Sequence, residues 1–77
     1  MKIFITGGAG FIGSNLSRIL YKEFKDINII DINKKNFDLF FKKSFSKKLN
    51  YYNFNLIDIE NYKDIFSDCD ILIHLEA

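Results

Sequence analysis

Glycines at positions 7, 8, 10 and 13 stand within seven residues, and an aspartate follows at 31. Main chain this bare can close on a phosphate, because no Cβ keeps the ligand from the backbone N–H groups. An acid about 20 residues further on can accept hydrogen bonds from a ribose. Together these residues point to dinucleotide binding, with the pyrophosphate at the glycines and the adenosine ribose at Asp31. Gly7 makes the turn, Gly10 lets backbone approach phosphate, and Gly13 lets the following helix pack closely on the strand. The spacing is G-x-x-G-x-x-G, and Gly8 also supplies the G-x-G start of the dinucleotide fingerprint. A glycine-rich turn that only permits tight packing is the plainer alternative, but it leaves four such close glycines unexplained. The other common phosphate loop is excluded. Gly8 and Gly13 have its G-x-x-x-x-G spacing, yet Ser14-Asn15 stands where Lys-Ser/Thr is required.

Asp31 lies 18 residues past Gly13. Its carboxylate repels a 2′-phosphate and so favours NAD over NADP. The alternative is a solvated acid at a strand end. Lys34 and Lys35 follow and could hold a 2′-phosphate, but Asp31 opposes that use.

These residues need a strand, a tight turn and a helix to position them. Lys2 to Thr6 is expected as the first strand, its apolar run nearly continuous as in a strand covered on both faces. A helix is expected from about Phe11 to Phe24. Ile12, Leu16, Ile19, Leu20 and Phe24 share one face at 3.6-residue spacing, with Arg18, Lys22 and Lys25 in solvent. Its unpaired N–H groups and positive dipole end would face outward at the turn, where a pyrophosphate fits. Residues 27–32 read as a second strand ending in the acid. Residues 33–50 hold six lysines and one acid, Asp38. There Phe37, Phe40, Phe41 and Phe45 recur at helical spacing. This favours a short amphipathic helix with buried phenylalanines over a partner surface or a nucleic-acid site. Residues 51–55 read as a third strand. Asp58 suits the N-cap of a helix reaching about Ser67, with Ile59, Tyr62, Ile65 and Phe66 on its apolar face. Residues 70–75 read as a fourth strand. Right-handed crossovers then give a parallel α/β sheet of order 3-2-1-4, the N-terminal half of a Rossmann-type doubly wound sheet.

With 77 residues, the chain has room for one small domain at most, about half of a complete dinucleotide-binding domain. A net charge of +1 gives no general attraction to nucleic acid or to anionic membrane. Cys69 is the one cysteine, so no internal disulfide can form. No apolar run approaches the roughly 20 residues that span a bilayer. The chain enters a strand at once, leaving no room for a signal peptide, so a cytoplasmic location is expected.

Thr6-Gly7-Gly8-Ala9-Gly10-Phe11-Ile12-Gly13-Ser14, Asp31, Asn55-Leu56-Ile57-Asp58 and Ile73-His74-Leu75-Glu76-Ala77 occur in that order. In this the chain resembles the extended short-chain dehydrogenase/reductases, and more narrowly the NAD-dependent epimerase/dehydratase family acting on nucleotide sugars. The resemblance covers the whole chain but about the first third of a family member. It implies that Gly7 and Gly10 line the pyrophosphate, that Phe11 and Ile12 offer N–H groups, and that Asp31 holds the adenosine ribose. Where the family has an Asp-Leu/Ile pair meeting the adenine amino group, this chain has Asn55-Leu56, whose amide oxygen can accept the same bond without charge. Leu75 would lie beside the cofactor path. Glu76 stands there in place of the usual alanine. His74 matches a family position, and a satisfied strand-end histidine is its expected role.

The family's catalytic tyrosine and lysine, a Tyr-x-x-x-Lys pair, lie well beyond residue 77. Tyr21 and Lys25 have that spacing, but at about 1.5 Å per residue Tyr21 sits roughly 15 Å from the pyrophosphate end of the helix. It is not catalytic, and no other residue or metal-ligand set supplies chemistry. The resemblance thus implies an N-terminal portion, residues 1–77, of an NAD-binding domain. Its parent would act on a nucleotide sugar and form a homodimer. The alternatives are a stand-alone, non-catalytic dinucleotide- or partner-binding module and an inert gene fragment.

Overall fold

The computed structural model describes residues 1–41 and 48–75; for Leu56 and Ile59 it describes the backbone alone. Its elements are β1 (Lys2–Thr6), α1 (Phe11–Tyr21), β2 (Asp26–Ile30), α2 (Lys34–Phe40), β3 (Asn50–Tyr52) and β4 (Ile71–His74). Two short 3₁₀ turns, Leu56–Asn61 and Lys63–Phe66, precede β4. The strands form one sheet in the order β3-β2-β1-β4, every pair parallel. The expected order is therefore the observed one.

Alternation along the strands divides the core. Ile3, Ile5, Ile27 and Ile29 point to the side covered by α1 and α2, where they meet Ala9, Phe37, Phe41 and Leu49. Phe4 and Ile30 point to the other side and meet Phe54, with Tyr52, Ile65 and Phe66 against them. Each fully buried side chain of this size contributes roughly 1.5–3 kcal/mol, so β1 and β2 form the stable centre. Asn28 is buried in β2 among apolar residues. It donates to the Ile3 carbonyl at 3.2 Å and to the Asp26 carboxylate at 3.0 Å, and accepts from Asn50 Nδ2 at 2.9 Å. A buried amide satisfied on three strands costs little and disfavours slipped pairings.

Several expectations need correction. The buried residues of α1 are Gly13, Ser14 and Ser17, while Ile12 and Ile19 are 70% and 61% exposed. Close approach of the helix to the glycine turn leaves room only for small residues there. Ser17 satisfies its buried hydroxyl by donating to the Gly13 carbonyl at 2.7 Å. Leu20 and Phe24 do pack on the core. Arg18 is half-buried rather than free in solvent: its guanidinium donates to the Phe40 carbonyl and to Asn15 Oδ1 and lies over the Phe41 ring. The helix ends at Tyr21 because the Leu20 carbonyl accepts from both Glu23 and Phe24, closing the turn. Asp31 stands just past the end of β2.

β3 stops at Tyr52, and among the described residues no α-helix follows it. The segment rich in β-branched and Asx residues, which are weak helix formers, forms the two 3₁₀ turns instead. Asp58 lies inside the first of them and does not cap it. Asn55 takes that role, its Oδ1 accepting from the Ile57 N–H at 3.1 Å and its carbonyl from the Asp58 N–H at 2.9 Å. In α2 the expected packing holds: Phe37 and Phe41 are buried and Phe40 is half-buried. Phe45 and Glu76 lie outside the described residues. β4 is an edge strand with Ile71 and Leu72 exposed.

Candidate functional site

β1 delivers the chain to the turn at residues 7–10. Gly7 has φ of 70°, the left-handed region that a side chain disfavours. Its N–H donates to the Ile30 carbonyl at 2.8 Å, and its carbonyl accepts from Gly10 N–H at 3.2 Å. The glycines then differ in what they permit. A Cβ on Gly13 would stand 2.6 Å from Gly8 Cα and 2.7 Å from the Gly7 carbonyl. Gly13 thus allows close packing against the turn itself rather than against the strand. A Cβ on Gly8 would meet Ile29 Cγ2 at 2.8 Å and the Ile5 carbonyl at 3.0 Å. Gly8 is therefore the glycine that seats the turn on the sheet, a role invisible without knowing that β2 lies beneath it. A Cβ on Gly10 would meet nothing closer than the Gly7 carbonyl at 3.5 Å, and Gly10 adopts ordinary extended backbone. The fold makes no demand for glycine at position 10.

Gly10 is also the N-cap of α1. No side chain caps the terminus and its first turn carries no acid. The N–H groups of Phe11, Ile12 and Gly13 have no acceptor among the described residues. They carry the positive end of an 11-residue helix. Gly7, Gly10, Phe11, Ile12, Gly13 and Leu75 together line a cleft of about 310 Å³. The structure thus brings six of the nine expected binding residues to one place.

Asp31 stands beside this cleft, 9% exposed. Its Oδ2 accepts from the Ala9 N–H at 3.1 Å and its Oδ1 from the Asn33 N–H at 2.9 Å. Its own N–H donates to the Tyr52 carbonyl at 3.2 Å, and its carbonyl accepts from the Tyr51 hydroxyl at 2.8 Å. Burial, then the charges of Asp31 and Asp38, push the Tyr51 phenol above its ordinary value. Beyond Asp31 a second hollow of about 380 Å³ is lined by Ile32, Asn33, Lys34 and Lys35. Lys34 is engaged with the Asp38 carboxylate and lies over the Phe37 and Tyr51 rings. Asn55 is exposed at the start of the first 3₁₀ turn, and the side chain of Leu56 lies outside the description.

Thr6 and His74 end β1 and β4 as register partners. Thr6 Oγ1 and His74 Nδ1 share a hydrogen bond at 2.6 Å. His74 is satisfied, as expected, and its partner follows from the β1–β4 register rather than from strand order alone. Lys25 donates to the Tyr21 carbonyl at 2.8 Å and covers the Tyr21 ring, a local arrangement at the far end of α1 from the cleft. Among the described residues no group of three or more metal-binding side chains comes together, and no helix is long and apolar enough to cross a membrane.

A parallel sheet whose first strand runs through a glycine turn into an uncapped helix facing a cleft defines a Rossmann-type architecture. The sequence profile of the NAD dependent epimerase/dehydratase family matches residues 3–77, and the chain belongs to that family. It is 43% identical over 82 aligned positions to dTDP-D-glucose 4,6-dehydratase of Dictyostelium discoideum, covering 99% of this chain and 19% of that protein. Among solved structures it is similar to UDP-N-acetylglucosamine 4-epimerase from Methanobrevibacter ruminantium M1, determined in complex with UDP-N-acetylmuramic acid. The TM-score is 0.80 at 29% identity, covering 99% of this chain and 24% of that one. It is also similar to the UDP-glucose 4-epimerase of Thermotoga maritima, determined with UDP-glucose. There the TM-score is 0.77 at 26% identity, covering 100% of this chain and 24% of that one. The chain spans about a fifth of the length of the curated relative and about a quarter of the solved chains.

Proposed function

We propose that this chain is the coenzyme-holding N-terminal portion of a nucleotide-sugar epimerase or dehydratase, and that it binds the ADP half of NAD. The observation that carries the reading is the open space at Gly10 beside the unpartnered N–H groups of Phe11, Ile12 and Gly13. A side chain at position 10 would fit the fold but fill the cleft. Positive dipole, bare amides and room for two phosphates suit a pyrophosphate. The carboxylate of Asp31 has lone pairs left for ribose hydroxyls after its two backbone bonds. Asn55 would accept from the adenine amino group through Oδ1, which already accepts from Ile57. Leu56 and Leu75 would contribute apolar contact. Asp31 disfavours a 2′-phosphate, and the engagement of Lys34 with Asp38 removes one of the two cations that could have offset it.

The chemistry NAD supplies in such a site is reversible acceptance of a hydride, in the parent from a sugar carbon. The residues of this chain bind and orient the coenzyme and move no proton. The exposed outer edge of β4 is where a longer parallel sheet would add its next strand. A nucleotide-sugar substrate and a homodimeric parent belong to the same proposal. Calorimetric titration of the chain with NAD tests it. Binding that Gly10→Val removes while far-UV circular dichroism stays unchanged supports the reading. Absence of binding by the unmodified folded chain, or equal binding by the variant, refutes it.

A further inference from the structure

We propose that Asp31 is a positioning residue for the phosphate-receiving turn and not a ribose contact alone. The inference rests on the coenzyme reading and deepens it. The turn at residues 7–10 contains three glycines, so its backbone has the most conformational freedom to lose. Among the described residues, the bond from Ala9 N–H to Asp31 Oδ2 is the one side-chain hydrogen bond made to this turn. Ala9 is fully buried, so its N–H has no access to water as a substitute.

Asp31 is itself held on every polar group. Its N–H bonds Tyr52, its carbonyl takes the Tyr51 hydroxyl, and its second carboxylate oxygen takes the Asn33 N–H. The carboxylate is therefore a fixed post between β3 and the turn. It sets the position of Ala9, and so of Gly10, the residue from which α1 and its free amides begin. A ribose contact needs none of this, since an acid at the surface would serve.

The two roles differ in sign for a ligand without a ribose. Asp31→Asn removes a negative charge beside an anion site, which by itself tightens inorganic pyrophosphate. It also leaves one acceptor oxygen where there were two, so Ala9 or Asn33 loses its partner, and a loosened turn binds pyrophosphate less well. The full chain and the Asp31→Asn variant are titrated with inorganic pyrophosphate and with NAD, after circular dichroism and thermal melting verify folding. The proposal expects pyrophosphate affinity to fall at least about fivefold, the equivalent of one lost hydrogen bond. Unchanged or tighter pyrophosphate binding with weakened NAD binding overturns it and leaves the coenzyme reading standing. If the unmodified chain binds neither ligand, both fall. Should the variant not fold, hydrogen exchange on the unmodified chain decides. Ala9 N–H protected like the amides of β1 supports the latch, and free exchange overturns it.

Discussion

Gly13 and Gly8 approach so closely that a Cβ on the first would stand 2.6 Å from the Cα of the second. Backbone meets backbone there, and neither can yield without moving α1 off the turn. Gly13→Ala is expected to destabilise the fold by about 1–3 kcal/mol, as overpacking does, despite the better helix propensity of alanine. Urea unfolding of the two proteins measures it.

Gly10→Ala tests the opposite case. The new methyl meets only the Gly7 carbonyl at 3.5 Å, and the backbone there is extended. Stability should change by less than about 1 kcal/mol, the cost of a poorer N-cap. NAD affinity should fall at least about tenfold, because the methyl stands in the cleft. Comparing the unfolding midpoint with the calorimetric affinity separates the two effects.

Thr6 and His74 predict a rescue. His74→Ala leaves the buried Thr6 hydroxyl without its partner, at a cost of about 1–3 kcal/mol. Adding Thr6→Val removes the orphaned hydroxyl and should recover part of that loss. A double-mutant cycle by chemical denaturation checks it, and additive costs would refute it.

Tyr51 sets a pH dependence. Its phenol is raised above 10.0 by burial first and then by the charges of Asp31 and Asp38. A group raised on folding contributes stability that is fully present below the unfolded value. That contribution is lost as pH rises from about 10 through the folded value. Tyr51→Phe forfeits the bond to the Asp31 carbonyl and should cost about 1 kcal/mol at pH 7. The gap between wild type and variant should narrow above pH 10. Unfolding curves taken from pH 7 to pH 11 give the comparison.

Much of this arrangement was legible along the chain. The glycine spacing, the apolar runs and Asp31 at its distance are local patterns, and they implied the strand order, the turn and the cleft at the head of α1. Periodicity misled for α1, because it ranks faces by apolar content. Ile12 and Ile19 scored as core, yet the face that meets the turn is the one small enough to approach it. The same limit applied to residues 58–67, where apolar spacing suggested a helix and weak helix formers settled for shorter turns.

Composition and spacing marked the residues that line the cleft, because an uncapped helix after a glycine turn is a local property of consecutive residues. Packing assigned the rest. That Gly8 yields to Ile29, that Asp31 grips Ala9, that Tyr51 grips Asp31 and that Thr6 meets His74 all depend on strands far apart in the chain lying side by side. Such pairings exist only once the sheet has closed around its isoleucines, and each is set by distances that no run of neighbouring residues encodes.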